Sequence, residues 1–225
     1  MNLSGKKIAF LGDSITEGVG AGPTLRFSTV FCEITNAIEY NYGISGTRLA
    51  RQIIPTEGKP RHDLCFLDRV EEMVEDPDVV VVFGGTNDFG HGDAPFGNFN
   101  SVSEYTFYGA VHSLVKRIIN RYPDKLVVFM TPLHRTSENA VRRDSVTLDG
   151  VEYNGNRPVL LDFVNAIKEV CEYYSIPVLD LYSSIGIQPC VPIQKEMFMP
   201  DGLHPSPRGA EKIAKRLAAF LRTLM

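Results

Sequence analysis

Four short blocks of the chain carry residue types that chemistry uses. Gly12-Asp13-Ser14-Ile15-Thr16-Glu17-Gly18 offers a hydroxyl beside glycine. Asn41-Tyr42-Gly43-Ile44-Ser45-Gly46 offers backbone N–H groups that no side chain shields. Gly84-Gly85-Thr86-Asn87-Asp88 offers a carboxamide, and Asp201-Gly202-Leu203-His204-Pro205 sets a carboxylate three residues before an imidazole. Together they are an inventory for acyl transfer. A serine hydroxyl is a poor nucleophile until a neighbouring base takes its proton. An imidazole does this near neutral pH, and a carboxylate behind it fixes the tautomer. The tetrahedral intermediate then needs donors aimed at its oxyanion. The N–H of Gly46, the side chain of Asn87 and the N–H of Ser14 itself are the candidates.

These blocks need elements to hold them. Asp78 to Phe83 (DVVVVF) is the clearest strand, its continuous β-branched run fitting a central parallel strand covered on both faces. Lys7 to Leu11, Leu126 to Met130 and Pro177 to Leu181 read the same way, and Glu39 to Tyr42 more weakly. Helical spacing appears over Thr24 to Asn36, over Leu64 to Glu75 with Leu64, Leu67, Val70 and Val74 on one face, over Glu104 to Tyr122, and over Val159 to Tyr174. The last helix has Ser206 as N-cap and Pro207 as first residue, with Ile213, Leu217, Phe220, Leu221 and Leu224 as its buried face. Strands alternating with helices imply crossovers and a mainly parallel sheet. In such sheets ligands bind outside the carboxyl ends of the strands, where the four blocks fall. Two stretches break the pattern. Phe89 to Ser103 is rich in Gly, Asn and Phe, and His134 to Arg157 contains VTLDGVEY, a hairpin pattern with Asp149-Gly150 at the turn.

Gly12-Asp13-Ser14, Gly46, Gly85-x-Asn87-Asp88 and Asp201-x-x-His204 resemble the four signature blocks of the SGNH (GDSL-type) esterases and lipases, in the family's order and across nearly the whole chain. The resemblance implies a flavodoxin-like three-layer α/β/α sandwich with a five-stranded, mainly parallel sheet. It implies Ser14 as nucleophile, His204 as general base and then acid, and Asp201 as the residue orienting it. Ser14, Gly46 and Asn87 would be the oxyanion donors, with Gly43 a rival whose context fits the family less well. It suggests short acyl groups, such as acetyl, on a carbohydrate or other small alcohol. Lysophospholipase and thioesterase activities are the alternatives on longer chains, and a non-catalytic binding module on this fold is the alternative outside enzymes. No G-x-S-x-G surrounds Ser14, and acid and base share one short segment, unlike an α/β-hydrolase.

Other residues have plainer readings. Ser14 alone would read as a helix cap, and the other three blocks turn it into the nucleophile candidate. Asp13 is expected to bond loop N–H groups, and Asp88 to form an Asx turn. Phe89, Phe96, Phe99, Tyr105 and Tyr108 are candidates to line an acyl or sugar pocket, and Phe107 is assigned to the core. Gly18, Gly20 and Gly22 suggest a phosphate loop, but G-x-G-x-x-G is not completed and no GK[ST] occurs. They read instead as a flexible loop beside the site. His62, His91, His112 and His134 lack metal-ligand spacing, so neither cofactor nor metal is expected. Arg208, Lys212, Lys215, Arg216 and Arg222 read as the solvated face of the last helix.

The 225 residues suit a single domain over 1–225. A net charge of −4 lacks the field of a dedicated nucleic-acid binder. No apolar run approaches the roughly 18 residues of a membrane span, nor the about 7–15 of a secretory leader. Cys32, Cys65, Cys171 and Cys190 contain no C-x-x-C and are expected as free thiols. The expectation is therefore a cytoplasmic protein acting on a small-molecule ester, without nucleic acid or membrane. Homo-oligomers are common in the family, and the 134–157 insertion is long enough to reach a neighbouring subunit.

Overall fold

The computed structural model describes residues 3–140 and 143–224. In chain order the elements are β1 (Lys7–Gly12), α1 (Ser14–Glu17), α2 (Phe27–Thr35), β2 (Ile38–Gly43), α3 (Phe66–Arg69), β3 (Val79–Phe83), α4 (Thr86–His91), α5 (Phe107–Arg121), β4 (Leu126–Met130), β5 (Arg143–Leu148), β6 (Val151–Asn156), α6 (Leu160–Tyr173), β7 (Val178–Leu179), α7 (Leu181–Ser184), α8 (Pro192–Phe198) and α9 (Pro207–Leu224). Five strands form one parallel sheet in the order β2-β1-β3-β4-β7. This is the flavodoxin-like order, with its switch point between β1 and β3.

The side-chain alternation of the strands divides the core in two. Ala9, Leu11, Val80, Val82, Val127 and Phe129 face one layer, where they pack with Phe66 and Leu67 of α3, Leu114 and Ile118 of α5, and Phe163 and Ile167 of α6. Ile8, Phe10, Val79, Val81, Val128 and Met130 face the other, against Phe27 and Phe31 of α2 and Ile213, Leu217 and Leu221 of α9. A strand buried on both faces must be apolar at every position, which is why β3 reads VVVVF. The fold is the expected three-layer sandwich.

Register brings the site together. Gly12 pairs with Gly43 on one side and Phe83 on the other, and Phe83 pairs with Met130. The central strands therefore end level, and the segments that leave them start on one rim.

Several boundaries differ from the sequence pattern for local reasons. The strand expected over Pro177 to Leu181 shortens to Val178–Leu179 because Asp180 caps α7, accepting from Ser183 N at 3.0 Å. The helix expected from Glu104 starts at Phe107, with Thr106 as the cap. The helix expected over Leu64 to Glu75 is the short α3 followed by a 3₁₀ turn at Val70–Glu72, which leaves Leu64 exposed while Leu67 and Val70 are buried. Leu224 is likewise exposed at the end of α9. The hairpin falls where expected, with Asp149 and Gly150 both at positive φ as a two-residue turn requires. Val141 and Arg142 of that insertion lie outside the described residues, as do Met1 and Asn2 of the N-terminal segment. All four cysteines are free, and three are buried. No helix among the described residues is long and apolar enough to cross a membrane.

Candidate active site

Ser14 opens α1, and the residue before it determines how its side chain is used. Asp13 takes the capping role, its Oδ1 accepting from Ile15 N at 3.0 Å. The Ser14 hydroxyl is thereby left out of the cap and faces His204, with Oγ 3.0 Å from Nε2. His204 Nδ1 lies 2.6 Å from Asp201 Oδ2. The other carboxylate oxygen, Oδ1, accepts from Leu203 N at 2.9 Å and His204 N at 2.7 Å, so one loop holds acid and imidazole together. Partial burial works against the Asp201 charge, but the His204 and Leu203 hydrogen bonds outweigh it and hold the carboxyl below the usual range. An ionised Asp201 accepts the Nδ1 proton and leaves the Nε2 lone pair facing the serine hydroxyl.

The end of that loop is fixed. Ser206 accepts from Gly209 N at 3.3 Å as the expected cap of α9, and its own Oγ–H donates to Met197 O at 2.7 Å. Gly202 stands at φ +78°, and its carbonyl accepts from Thr136 N at 2.9 Å.

The candidate oxyanion donors come from the Ser14 segment itself and two further rim segments. Gly46, at φ +77°, has an N–H with no hydrogen-bond partner among the described residues, and the same holds for the N–H of Ser14. Asn87 is buried on α4 and donates one side-chain N–H to Thr47 O at 3.0 Å, which leaves its second for another acceptor. Gly43 leaves the donor set: its N–H is taken by Asn41 Oδ1 at 2.9 Å, and a Cβ there would overlap the Thr16–Glu17 backbone. Hydroxyl, imidazole, carboxylate and open N–H groups at one rim are the parts that acyl transfer uses.

Asp88 departs from its expected turn role. It lies within α4, buried, and its carboxylate accepts from Leu49 N at 3.0 Å and Ala50 N at 2.9 Å. That bond pair joins the helix of Asn87 to the segment of Gly46. Burial pushes the Asp88 carboxyl above its ordinary range, against those two backbone bonds. Asp13 is also buried, and burial pushes its carboxyl up to about 7 against the Ile15 bond and the Arg69 charge.

Sequence reasoning missed several positioning residues. Arg69 is buried and donates to Gly12 O, to Tyr42 O at 2.6 Å and to Thr47 Oγ1 at 3.0 Å, tying the ends of β1 and β2 to the Gly46 segment. His62 lies so close to Gly46 that any Cβ there would overlap its imidazole. A helical arginine and a loop histidine give no local signal of these contacts. The glycine loop is also more constrained than expected. At Gly20, φ is +89°, and a Cβ would meet Pro205 O at 2.6 Å and His204 Cβ at 2.9 Å. The aromatic expectation is corrected for Phe89. Phe89 and Phe107 are buried; Phe96 stacks on Phe107, both meet Phe163 edge-on, and Phe96 and Phe99, the latter packed on His112, line cavities away from Ser14. Among the described residues, no group of three or more His, Cys, Asp or Glu side chains could hold a metal ion.

The comparisons with known proteins agree with this architecture. A GDSL-like lipase/acylhydrolase family model matches residues 10–212. One crystal structure is 34% identical, with a TM-score of 0.81 over 100% of this chain and 99% of the other. A protein from Lactobacillus plantarum is 28% identical, with a TM-score of 0.80 over 99% of each chain. A family two carbohydrate esterase from Clostridium thermocellum, solved with cellohexaose, is 19% identical with a TM-score of 0.60, over 97% of this chain and 64% of the other. No curated protein sequence matches significantly. With the family model spanning all four rim segments, the chain belongs to the GDSL-like lipase/acylhydrolase family.

Proposed function

We propose that the protein is a cytoplasmic serine esterase that hydrolyses short-chain acyl esters, acetyl foremost, of a carbohydrate or similar small alcohol. The observation that carries this reading is the chain of contacts from Ser14 Oγ through His204 to Asp201, at 3.0 and 2.6 Å. Ser14 attacks the ester carbonyl as His204 Nε2 takes its proton. The carbonyl oxygen becomes an oxyanion facing the N–H groups of Ser14 and Gly46 and the free N–H of Asn87. The intermediate collapses, the C–O bond to the alcohol breaks, and His204 returns its proton to the leaving oxygen. Water, deprotonated by His204, then attacks the acyl-enzyme, and the carboxylic acid departs with Ser14 restored. Asp201 holds the tautomer and stabilises the imidazolium.

Two observations favour a small substrate. The core takes up Phe89 and Phe107, leaving neither to line a long acyl channel. The cavity beside Gly46 is walled by Arg48, Gln52, Thr56, Lys59, His62 and other mainly polar side chains. The fold is also one on which a carbohydrate esterase is built. The test is hydrolysis of p-nitrophenyl esters from acetate to palmitate at pH 8, beside Ser14→Ala. The expected result is highest activity on acetate, falling by butyrate and lost in the variant. A maximum at long chains would replace the short-acyl reading with a lipase or thioesterase. Turnover surviving in Ser14→Ala would overturn the nucleophile assignment.

A further inference from the structure

We propose that the cavity beside Gly46 is a subsite for an anionic oxygen group, a carboxylate or a phosphate, carried by the ester substrate. This rests on the esterase reading and narrows its substrate class. The cavity holds about 430 Å³. Its walls grow from the segments that supply the oxyanion donors. His62 packs on Gly46, and His91 follows Asn87 by one turn of α4.

The hydrogen bonds of the wall decide what the cavity can bind. Arg48 NH1 lies 3.1 Å from His91 Nδ1 and donates to His91 O at 3.1 Å. A guanidinium only donates, so Nδ1 is the accepting nitrogen and the His91 proton sits on Nε2 as a donor. The carboxylates of the wall, Asp93 on the lining and Asp63 behind it, already accept from the chain. Asp63 receives Arg48 NH2 at 2.7 Å, Thr56 Oγ1 at 2.6 Å and Thr56 N at 2.8 Å. Asp93 receives Ile53 N at 2.9 Å and Ile54 N at 2.6 Å. Gln52 uses its oxygen on Asp93 N and its nitrogen on Ala50 O.

Unused groups remain on the lining. Among the described residues, no carboxylate lies within ion-pair distance of the Lys59 ammonium. The His62 ring makes no hydrogen bond to those residues. The unused groups are therefore mostly donors, with the Lys59 ammonium set beside the Asp93 carboxylate on the same lining. An apolar acyl chain would leave these donors unsatisfied as it displaced their water. A carboxylate or phosphate would satisfy them with charge-assisted bonds.

The test compares kcat/KM for matched ester pairs. The acyl-side pair is p-nitrophenyl hemisuccinate and its methyl ester. The alcohol-side pair is a monoacetate of glycerol phosphate and glycerol monoacetate. The wild type should favour the anionic member of at least one pair by roughly tenfold, mainly through KM. Whichever pair shows this identifies the half of the substrate that carries the anion. In Lys59→Glu, at an exposed position that folding tolerates, the same ratio should fall to one or below. Equal rates in both pairs, or a ratio unchanged in Lys59→Glu, would overturn the subsite. If no ester is turned over in a Ser14-dependent way, the esterase reading fails, and binding decides the subsite on its own. Histidine ring NMR signals of the Ser14→Ala protein would then be titrated with succinate and with inorganic phosphate. Saturable shifts of His62 and His91 that vanish in Ser14→Ala/Lys59→Glu support the subsite, and their absence with both anions rejects it.

Discussion

His204 Nε2 stands 3.0 Å from Ser14 Oγ, across 190 residues of chain. Asp201, the third member, is half exposed, and its hydrogen bonds stay within its own loop. The three residues should therefore differ in how much their loss costs. Ser14→Ala and His204→Ala are expected to lower kcat by about 10⁴-fold or more, with KM within a few-fold of wild type. Asp201→Ala removes the orienting carboxylate but leaves the imidazole, and should lower kcat by roughly 10–10³-fold. Steady-state kinetics on a short-chain ester ranks them. An Asp201 variant as inactive as the Ser14 variant would mean that the carboxylate does more than orient.

The Asp88 carboxylate holds two rim segments at a fixed separation. Its acceptors serve Leu49 N and Ala50 N, both on buried residues. Asp88→Ala would strand those N–H groups without water, at about 1–3 kcal/mol each. It would also free the Gly46 segment to move relative to Asn87. The expected outcome is a lower Tm together with a 10–10²-fold loss in kcat that exceeds any change in KM. Asp88→Asn keeps the volume and one acceptor and should recover part of both. A variant that loses stability yet keeps full kcat would restrict Asp88 to the fold.

How much of this was legible in the chain depended on how local each signal was. The β3 run VVVVF announces a strand buried on both faces, three motifs sit where strands must end and the fourth just before the last helix, so fold and rim could be read together. The choice between Gly46 and Gly43 could not, because it turns on whether Asn41 takes an N–H two residues away. Asp88 read as a turn former because its acceptor role is spent 38 and 39 residues back in the chain. His62 and His91 gave no signal, since their rings meet at 5.4 Å only after an irregular loop folds around Arg48. Leu64 misled in the other direction: it fits a helical stripe, but α3 begins two residues later.

Gly20 and Gly22 separate backbone strain from contact with the site. Both have left-handed φ, +89° and +85°, so alanine at either is strained by about 1–2 kcal/mol. A Cβ at Gly22 meets nothing within 4 Å, whereas one at Gly20 meets Pro205 O and His204 Cβ below 3 Å. Both Gly20→Ala and Gly22→Ala should lower Tm. Only Gly20→Ala should displace His204 and lower kcat, by about tenfold or more. Equal activity in the two variants would show that the Gly20 contact does not position the imidazole.

Asp13 makes stability depend on pH with an uncommon sign for a carboxyl group. Its folded-state pKa is pushed up from 3.8 to about 7, chiefly by burial. Between those values the folded chain keeps a proton that the unfolded chain has released. The native state then binds more protons, so the contribution of Asp13 to stability falls as pH rises. It is fully present below 3.8, declines up to about 7, and is lost above. Carboxyls held low, such as Asp78 and Asp201, impose the opposite slope. The whole-protein curve therefore mixes both, and a variant difference is needed to isolate Asp13. Asp13→Asn cannot ionise but keeps an oxygen for the Ile15 N–H. Denaturant unfolding from pH 4 to 8 should give a difference, wild type minus variant, that falls up to about pH 7 and levels off above it. A difference that is flat or rises with pH would mean that Asp13 is already ionised in the native protein, with the Arg69 charge outweighing its burial.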